Sequence, residues 1–453
     1  MTTPNAFVNP AYEKSSEDDN FPDKPADIIQ KPEIQLDIEE AKSSEPKSIL
    51  KILALTGSTL AFILTGGIFY NSGVLYVTFL EHFGADRGVT AWAGSVQLAM
   101  VFGAGPGAAA LANRFSCYVA VISGGLLATL GLIISSFATD IYFLISSYGF
   151  MTGIGLGLVY APAVMLMGKV FTTRKGLAIG IVVSGMSSGW LSYPFIMRIL
   201  LDNYGWQICL RVLAAMTFVI CICGVCMIPA ERKTPPNTKR GLNVKIIRNP
   251  SFLLLCVAMM AYLFGLSVVS VHVPALGETL GFSVQQGSML ATIMGATSLL
   301  GRIFFGAIAD VKKCNILVAN AIAATCTGIP IMLYITSNSY AMLASFVGTY
   351  GFFSASFPTY VPLLVLEFVG IDKMVSGKGI AMFFGMFGVL LGGPTAGWLF
   401  DATQSYGPSF YFGGSMTLLG AVFSVVLWIV RACCTNTNTD AEKQEEGHRD
   451  EIN

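Results

Sequence analysis

Charge is what this chain lacks most. Only 12% of its 453 residues are Asp, Glu, Lys or Arg, and the 27 basic and 27 acidic side chains cancel. A balanced, charge-poor chain offers no electrostatic footprint for nucleic acid. Histidine is scarce too, with three in the sequence. There is no HExxH pair, no Walker A stretch, no CxxC with partner ligands and no soluble domain to hold a nucleotide. These absences argue against an enzyme, a resident metal or cofactor, and direct drive by ATP. The ten cysteines form no disulfide framework. Cys221, Cys223, Cys226, Cys256 and Cys326 lie in apolar runs, where Cys acts as a small apolar residue. Cys433 and Cys434, just past Arg431, read either as palmitoylation sites or as unmodified juxtamembrane thiols. A cleavable signal peptide is not expected either, because the first apolar run begins near Leu50, behind a polar, acidic stretch of almost fifty residues.

What is present is hydrophobicity, in long runs. Hydrophobic residues make up 54% of the chain, and the mean hydropathy is +0.65. Twelve apolar runs are read at 50–72, 91–110, 117–137, 142–165, 177–198, 208–229, 251–272, 286–309, 315–336, 341–366, 379–400 and 409–430. Each matches the roughly 20 residues a helix needs to cross about 30 Å of hydrocarbon. Lipid gives backbone groups no partners, so each run is expected to be a helix. The expected fold is an all-α polytopic membrane protein contacting membrane lipid. Its organisation is read as a disordered N-terminal tail (1–48), a six-helix bundle (49–229), a linker (230–250), a second six-helix bundle (251–431) and a polar C-terminal tail (432–453). The first tail lacks the apolar surface needed to offset the entropy of ordering. Within it, Asn9-Pro10-Ala11-Tyr12 forms an NPxY turn of the kind adaptor domains bind.

Orientation follows from the short loops. One set carries Arg114, Lys169, Arg174, Lys175, Arg232, Lys233, Lys239, Arg240, Lys245, Arg248, Lys312, Lys313, Lys373 and Lys378. The opposite set holds Arg87, with Arg211 just inside the sixth span. The basic loops, both tails and the linker are therefore expected in the cytosol, in an integral protein of the plasma membrane.

The halves also repeat. Gly105-Pro106 to Asn113-Arg114 is matched by Gly301-Arg302 to Ala309-Asp310, 196 residues on, and Lys175-Gly176-Leu177-Ala178 by Lys378-Gly379-Ile380-Ala381, 203 on. Near-constant offsets point to two parallel six-helix repeats, which resembles the major facilitator plan with its site between the halves at mid-membrane. Four stretches sharpen the resemblance: Phe171–Gly185 (FTTRKGLAIGIVVSG), Tyr204–Gln207 (YGWQ), Leu299–Asp310 (LLGRIFFGAIAD) and Gly392–Asp401 (GGPTAGWLFD). In order and topology they resemble the signatures of the monocarboxylate transporters. That resemblance implies a secondary carrier for a small organic monocarboxylate, working by alternating access, and in some relatives a single-span ancillary glycoprotein.

The departures bear on coupling. The first-helix stretch Ser48–Ser58 has neither the acid nor the Trp of the family motif. The resemblance implies a proton-coupling Lys near the outer end of helix one and an Asp four residues before the helix-eight Arg. The matching positions are Gly73 or a neighbour, and Ser298. The first basic position of the fifth-helix motif is Thr173. Facilitated diffusion, or carriage of a zwitterion such as creatine, carnitine or an amino acid, stands as an alternative, as does a ligand sensor of the same fold.

Few polar groups remain to hold a substrate. Arg302 is the first candidate, because a guanidinium at membrane depth is costly unless it meets protein, water or an anion. It can grip a carboxylate bidentately, or snorkel as a helix anchor in its G-R-x-x-x-G setting. His272, at the outer end of the seventh span, is either a proton-accepting group or a local hydrogen-bond partner. Tyr70, Asn71, Tyr160, Ser184, Ser298, Ser354 and Tyr360 are further candidates for the cavity wall. Arg114, Lys169, Arg174, Lys175, Asp310, Lys312, Glu367 and Lys373 are read as topology and gate charges whose pairs exchange between states.

Overall fold

The expected helices form because a backbone surrounded by hydrocarbon can satisfy its N–H and C=O groups only within itself. The computed structural model describes residues 48–171, 175–232, 244–309, 311, 314–370 and 374–450, with the backbone alone at 113, 169, 175–177, 244, 374–376 and 433–450. The tail with Asn9-Tyr12, residues 233–243 of the linker and the thiols of Cys433 and Cys434 lie outside the described residues. The first half of the sequence holds α1 (Ser48–Tyr70), α2 (Ser72–Phe83), α3 (Arg87–Gly103), α4 (Gly105–Arg114) and α5 (Cys117–Ser135). It continues with α6 (Ile141–Leu144), a π-helical stretch Ile145–Thr152, α7 (Gly153–Val170) and α8 (Lys175–Glu231). The second half holds α9 (Pro250–Thr279), α10 (Val284–Ala309), α11 (Ile316–Leu333), α12 (Tyr340–Ser354), α13 (Ser356–Val369), α14 (Met374–Thr403) and α15 (Gly407–Asp450). No strand occurs among the described residues, and the chain is an all-α polytopic membrane protein.

Polar residues mark the starts. Asp140 accepts hydrogen bonds from the N–H groups of Tyr142 and Phe143, both at 2.9 Å. Asn249 does the same for Ser251 at 3.0 Å and Phe252 at 3.3 Å, ahead of Pro250 at the first helical position. These caps satisfy donors that a helix start leaves open.

Among the described residues ten helices are long and apolar enough to cross a membrane, and α3 with α4, bent by 40°, makes an eleventh. The twelfth is hidden in α8, whose 57 residues are broken at Gly205 with φ 80° and ψ 172°. Only glycine enters that region freely, so Gly205 separates the runs expected at 177–198 and 208–229. Several boundaries move. The run expected at 50–72 stops at Tyr70 and resumes as α2 to Phe83. Asn71 makes the break: its Nδ2 donates to the Gly67 carbonyl at 2.8 Å, and its backbone (φ −108°, ψ 20°) leaves the helix. The run expected at 341–366 is likewise two helices that meet at Ala355.

Packing follows from which face each helix buries. On α10, Leu300 (61% exposed), Ile303 (68%) and Phe304 (48%) face outward, where hydrocarbon replaces water as the solvent for apolar side chains. In the first half α1 lies against α8, and α5 against α7 and α8. In the second, α9 lies against α14 and α15, and α11 against α15. The halves meet where α3 packs on α14, α8 on α10 and α2 on α9.

Candidate functional site

A cavity lies between helices of the two sequence halves. Its first-half wall is aromatic: Phe69 and Tyr70 from α1, Phe102 from α3, Tyr160 from α7 and Trp190 from α8. Tyr70 stacks on Trp190 with centroids 4.2 Å apart and planes 11° apart, a geometry that fixes both rings. The second-half wall carries the polar groups: Ser298 and Arg302 from α10, Ser354 from α12 and Lys378 from α14. No Asp or Glu is among the lining residues.

Arg302 reaches across the halves. Its Nη1 donates to the Val183 carbonyl on α8 at 2.5 Å, while its Nε is buried without an acceptor. A buried charged donor left unpaired costs several times what an ordinary hydrogen bond returns. An acceptor reaching the guanidinium would relieve that cost. One turn earlier on α10, the Ser298 hydroxyl lies 3.4 Å from that of Ser187 on α8, a second contact between halves. The remaining apolar lining, including Leu263, Leu266, Phe357 and Met382, excludes water around these groups.

Five of the nine residues expected in the wall line it: Tyr70, Tyr160, Ser298, Arg302 and Ser354. The other four do not. Asn71 gives its Nδ2 to the α1 break and is not in the lining. Ser184 donates to its own helix, at the Ile181 carbonyl, 2.7 Å away. Tyr360 is buried against Phe305, with centroids 5.8 Å apart. His272 is fully buried at a second place, described below.

Among the expected gate charges, Glu367 on α13 pairs with Arg431 on α15, both in the second half, so that pair does not bridge the halves. Arg114 lies 5.5 Å from the ring of its neighbour Phe115. Arg174, Asp310, Lys312 and Lys373 lie outside the described residues, as do the side chains of Lys169 and Lys175.

The second place is a latch at the end opposite the basic loops. Asp401, at the end of α14, accepts from the backbone N–H of Arg87 at 3.2 Å and of Gly88 at 2.9 Å. Those donors open α3, where the local Asp86 makes no side-chain cap. A second-half carboxylate thus caps a first-half helix, favoured by charge at the helix N-terminus. The Arg87 Nη1 donates to the Tyr406 hydroxyl at 2.7 Å, and its guanidinium sits 4.0 Å from the Phe400 ring centre. His272 continues the chain, with Nδ1 3.3 Å from the Tyr406 oxygen and Nε2 2.8 Å from the Gly393 carbonyl. A carbonyl can only accept, so Nε2 carries a proton toward Gly393. The arrangement ties His272 into a chain of contacts running Arg87, Tyr406, His272, Gly393.

The latch also explains the position where lactate-type members are implied to carry Lys. At Gly73 a Cβ would run into the backbone carbonyls of Ser270 and Val271 on α9. With this end closed, no side chain fits there.

Sequence reasoning passed over the Trp190 stack, Asp401 and Tyr406, and counted Lys378 as a loop charge. Signals existed for two of them. Arg87 is a guanidinium in the sparsely basic opposite loops, which asks for a partner, and Asp401 is the acid that ends the Gly392–Asp401 stretch. Nothing in one sequence pairs Tyr70 with Trp190, 120 residues apart.

Comparison with known proteins agrees with this architecture. The family model for the Major Facilitator Superfamily matches residues 58–384. Monocarboxylate transporter 12 of Rattus norvegicus is 27% identical over 407 residues, spanning 82% of this chain and 84% of its own. Monocarboxylate transporter 12 of Homo sapiens is 27% identical over 407 residues (82% and 79%), and Monocarboxylate transporter 9 of Rattus norvegicus 27% over 442 residues (77% and 86%). The motif resemblance is thus matched along most of the chain's length. With twelve helical spans, a cavity between sequence halves and a family match over most of its length, the chain belongs to the Major Facilitator Superfamily and is similar, within it, to the monocarboxylate transporters.

Proposed function

We propose that this transporter moves a small organic monocarboxylate across the plasma membrane by alternating access. One observation carries the reading: Arg302 lines a cavity that has no Asp or Glu in its lining, and its buried Nε has no acceptor. A carboxylate supplies the acceptor that Arg302 lacks, in a bidentate geometry suited to a guanidinium. A zwitterion finds a place for its acid but no carboxylate for its ammonium, only the aromatic wall through weaker cation–π contacts. The monocarboxylate reading is therefore preferred. The name borne by the relatives, monocarboxylate transporter, is of the same kind.

The test is uptake of a panel of radiolabelled monocarboxylates, amino acids and quaternary amines by expressing cells, at external pH 7.5 and 5.5. Accumulation of at least one monocarboxylate is expected. Binding without accumulation would mean a sensor, and uptake confined to zwitterions would replace the substrate class. Coupling is read from the same experiment. The positions that carry the coupling Lys and Asp in lactate-type members are Gly73 and Ser298, and His272 is locked into the latch. Uptake is expected to change less than about threefold between the two pH values, because neither inherited position titrates. A large acid stimulation abolished in His272→Gln, or in Lys378→Gln, would place a proton carrier at that residue and overturn the expectation.

Orientation is a separate expectation from the basic loops. Epitope tags at the two termini should both be inaccessible on intact cells and both accessible after permeabilisation. Surface labelling of one terminus alone would end the twelve-span topology with cytosolic ends. In that orientation the latched end faces outward, and the cavity wall runs from Tyr70 toward Lys378 on the cytosolic side.

A further inference from the structure

Lys378 looks from the sequence like one more charge of the basic loops. The structure puts it elsewhere. It is the fifth residue of α14, in the wall of the cavity that holds Arg302, with Met382 one turn further along the same helix also in the lining. A Lys whose only task is to mark the cytosolic side extends into water or lipid headgroups. A Lys in the wall of a largely apolar cavity gives up part of that hydration, a cost accepted where the charge has an anion to meet. Lys378 has no ion-pair partner among the described residues, and no Asp or Glu is in the lining to provide one.

The cations are sorted to one side. Arg302 and Lys378, with the Ser298 and Ser354 hydroxyls, come from the second half, set among apolar groups such as Leu263 and Phe357, while the first half adds no charge and contributes the rings of Phe69, Tyr70, Phe102, Tyr160 and Trp190. A ligand that uses both cations and reaches the opposite wall pairs an acid group with a flat or apolar body.

From this sorting we infer that Lys378 is a second substrate-contacting cation, and that with Arg302 it holds the acid group of an aromatic or other planar carboxylate whose body lies on the Tyr70–Trp190 stack. The inference rests on the monocarboxylate reading above and deepens it. Arg302 contributes a planar fork fixed by its bond to Val183, and Lys378 a point charge on a flexible stem that needs no fixed angle. Such a pair discriminates by charge at one wall and by shape at the other. An uncharged analogue of the same shape keeps the stacking contact and loses the cations.

The test compares phenylacetate with phenylacetamide, which share a body and differ in charge. Binding of each to the purified full-length protein in detergent is measured by calorimetric titration. The wild type is expected to prefer the acid, Lys378→Gln to lower the acid-to-amide affinity ratio about tenfold, the size of one charge-assisted contact, and Lys378→Arg to keep most of it. Because the ratio is taken within one preparation, a loss of folded protein does not alter it. Unchanged amide affinity in Lys378→Gln shows that the aromatic wall is intact. An acid-to-amide ratio equal in Lys378→Gln and wild type, while Arg302→Gln collapses it, would overturn the role of Lys378 and leave the monocarboxylate reading standing. A wild type that does not favour the acid at all would sink both.

Discussion

Arg302→Ala is expected to lower carboxylate uptake about tenfold to a hundredfold, the worth of one or two charge-assisted hydrogen bonds, with surface expression unchanged. The guanidinium has two calls on it: a bond to the Val183 carbonyl across the halves, and a buried Nε with no acceptor. The two roles separate in kinetics. If Arg302 binds substrate, Arg302→Ala raises the half-saturating concentration. If it only tethers α10 to α8, the maximal rate changes and half-saturation does not. Arg302→Lys keeps the charge and loses the planar fork, so it should recover part of the loss and no more. Uptake by Arg302→Ala at the wild-type rate and half-saturation would reduce Arg302 to a helix anchor and remove the main support for a carboxylate substrate.

The helices were legible because their cause is local. A run of about twenty apolar residues has one stable conformation in hydrocarbon, and the spans emerge near the expected places. Breaks within helices were less legible, since they depend on single residues whose effect is conditional. Gly205 can sit in a regular helix and here does not. Asn71 was read as a cavity group, yet its amide is used on the Gly67 carbonyl, four residues back on its own helix. The two cases share a lesson: a polar or permissive residue inside a span is as readily spent on the backbone as on a ligand.

The cavity was legible in part, and the pattern of success has a physical basis. Arg302 could be found from sequence because a permanent charge inside an apolar run has few places to go. Ser184 and Tyr360 could not be sorted from Ser298 and Ser354, since a hydroxyl in a helix can always turn back to a carbonyl of its own turn or be covered by packing. Lys378 was misplaced because a Lys at a helix end serves equally as a topology charge and as a cavity charge, and only the tertiary arrangement decides. His272 was assigned to the correct end of its helix, and the ring partners that define its place, Tyr406 and Gly393, lie more than a hundred residues away.

Opening the latch is expected to impair cycling severely and to expose the closed end on the side opposite the basic loops, which the orientation proposed above makes the outer one. Closure depends on an approach that only glycines permit: a Cβ at Gly397 would stand 2.5 Å from the Gly88 backbone N and Cα and 2.6 Å from the Arg87 carbonyl carbon. Gly397→Leu cannot relieve that contact through a flexible neighbour, because all three atoms are backbone. The helices α3 and α14 must part, and Asp401 then loses the N–H donors of Arg87 and Gly88. An alternating-access carrier that cannot close one end cannot release its load at the other, so uptake should fall more than about tenfold, as when a conformational step is blocked. Asp401→Ala removes the cap without adding bulk and should shift the same equilibrium less far. Accessibility reads the shift directly. Ser72, 2% exposed and packed against Gly94 of α3, two turns in from the latch, is replaced by Cys and probed on intact cells with a membrane-impermeant thiol reagent, taking the chain without that Cys as background. Ser72→Cys should be protected in the otherwise unchanged protein, labelled partly in Asp401→Ala and fully in Gly397→Leu. Equal protection in all three, with uptake retained, would mean that α3 and α14 do not separate during transport and that the Asp401 contact is a fixed brace of the fold.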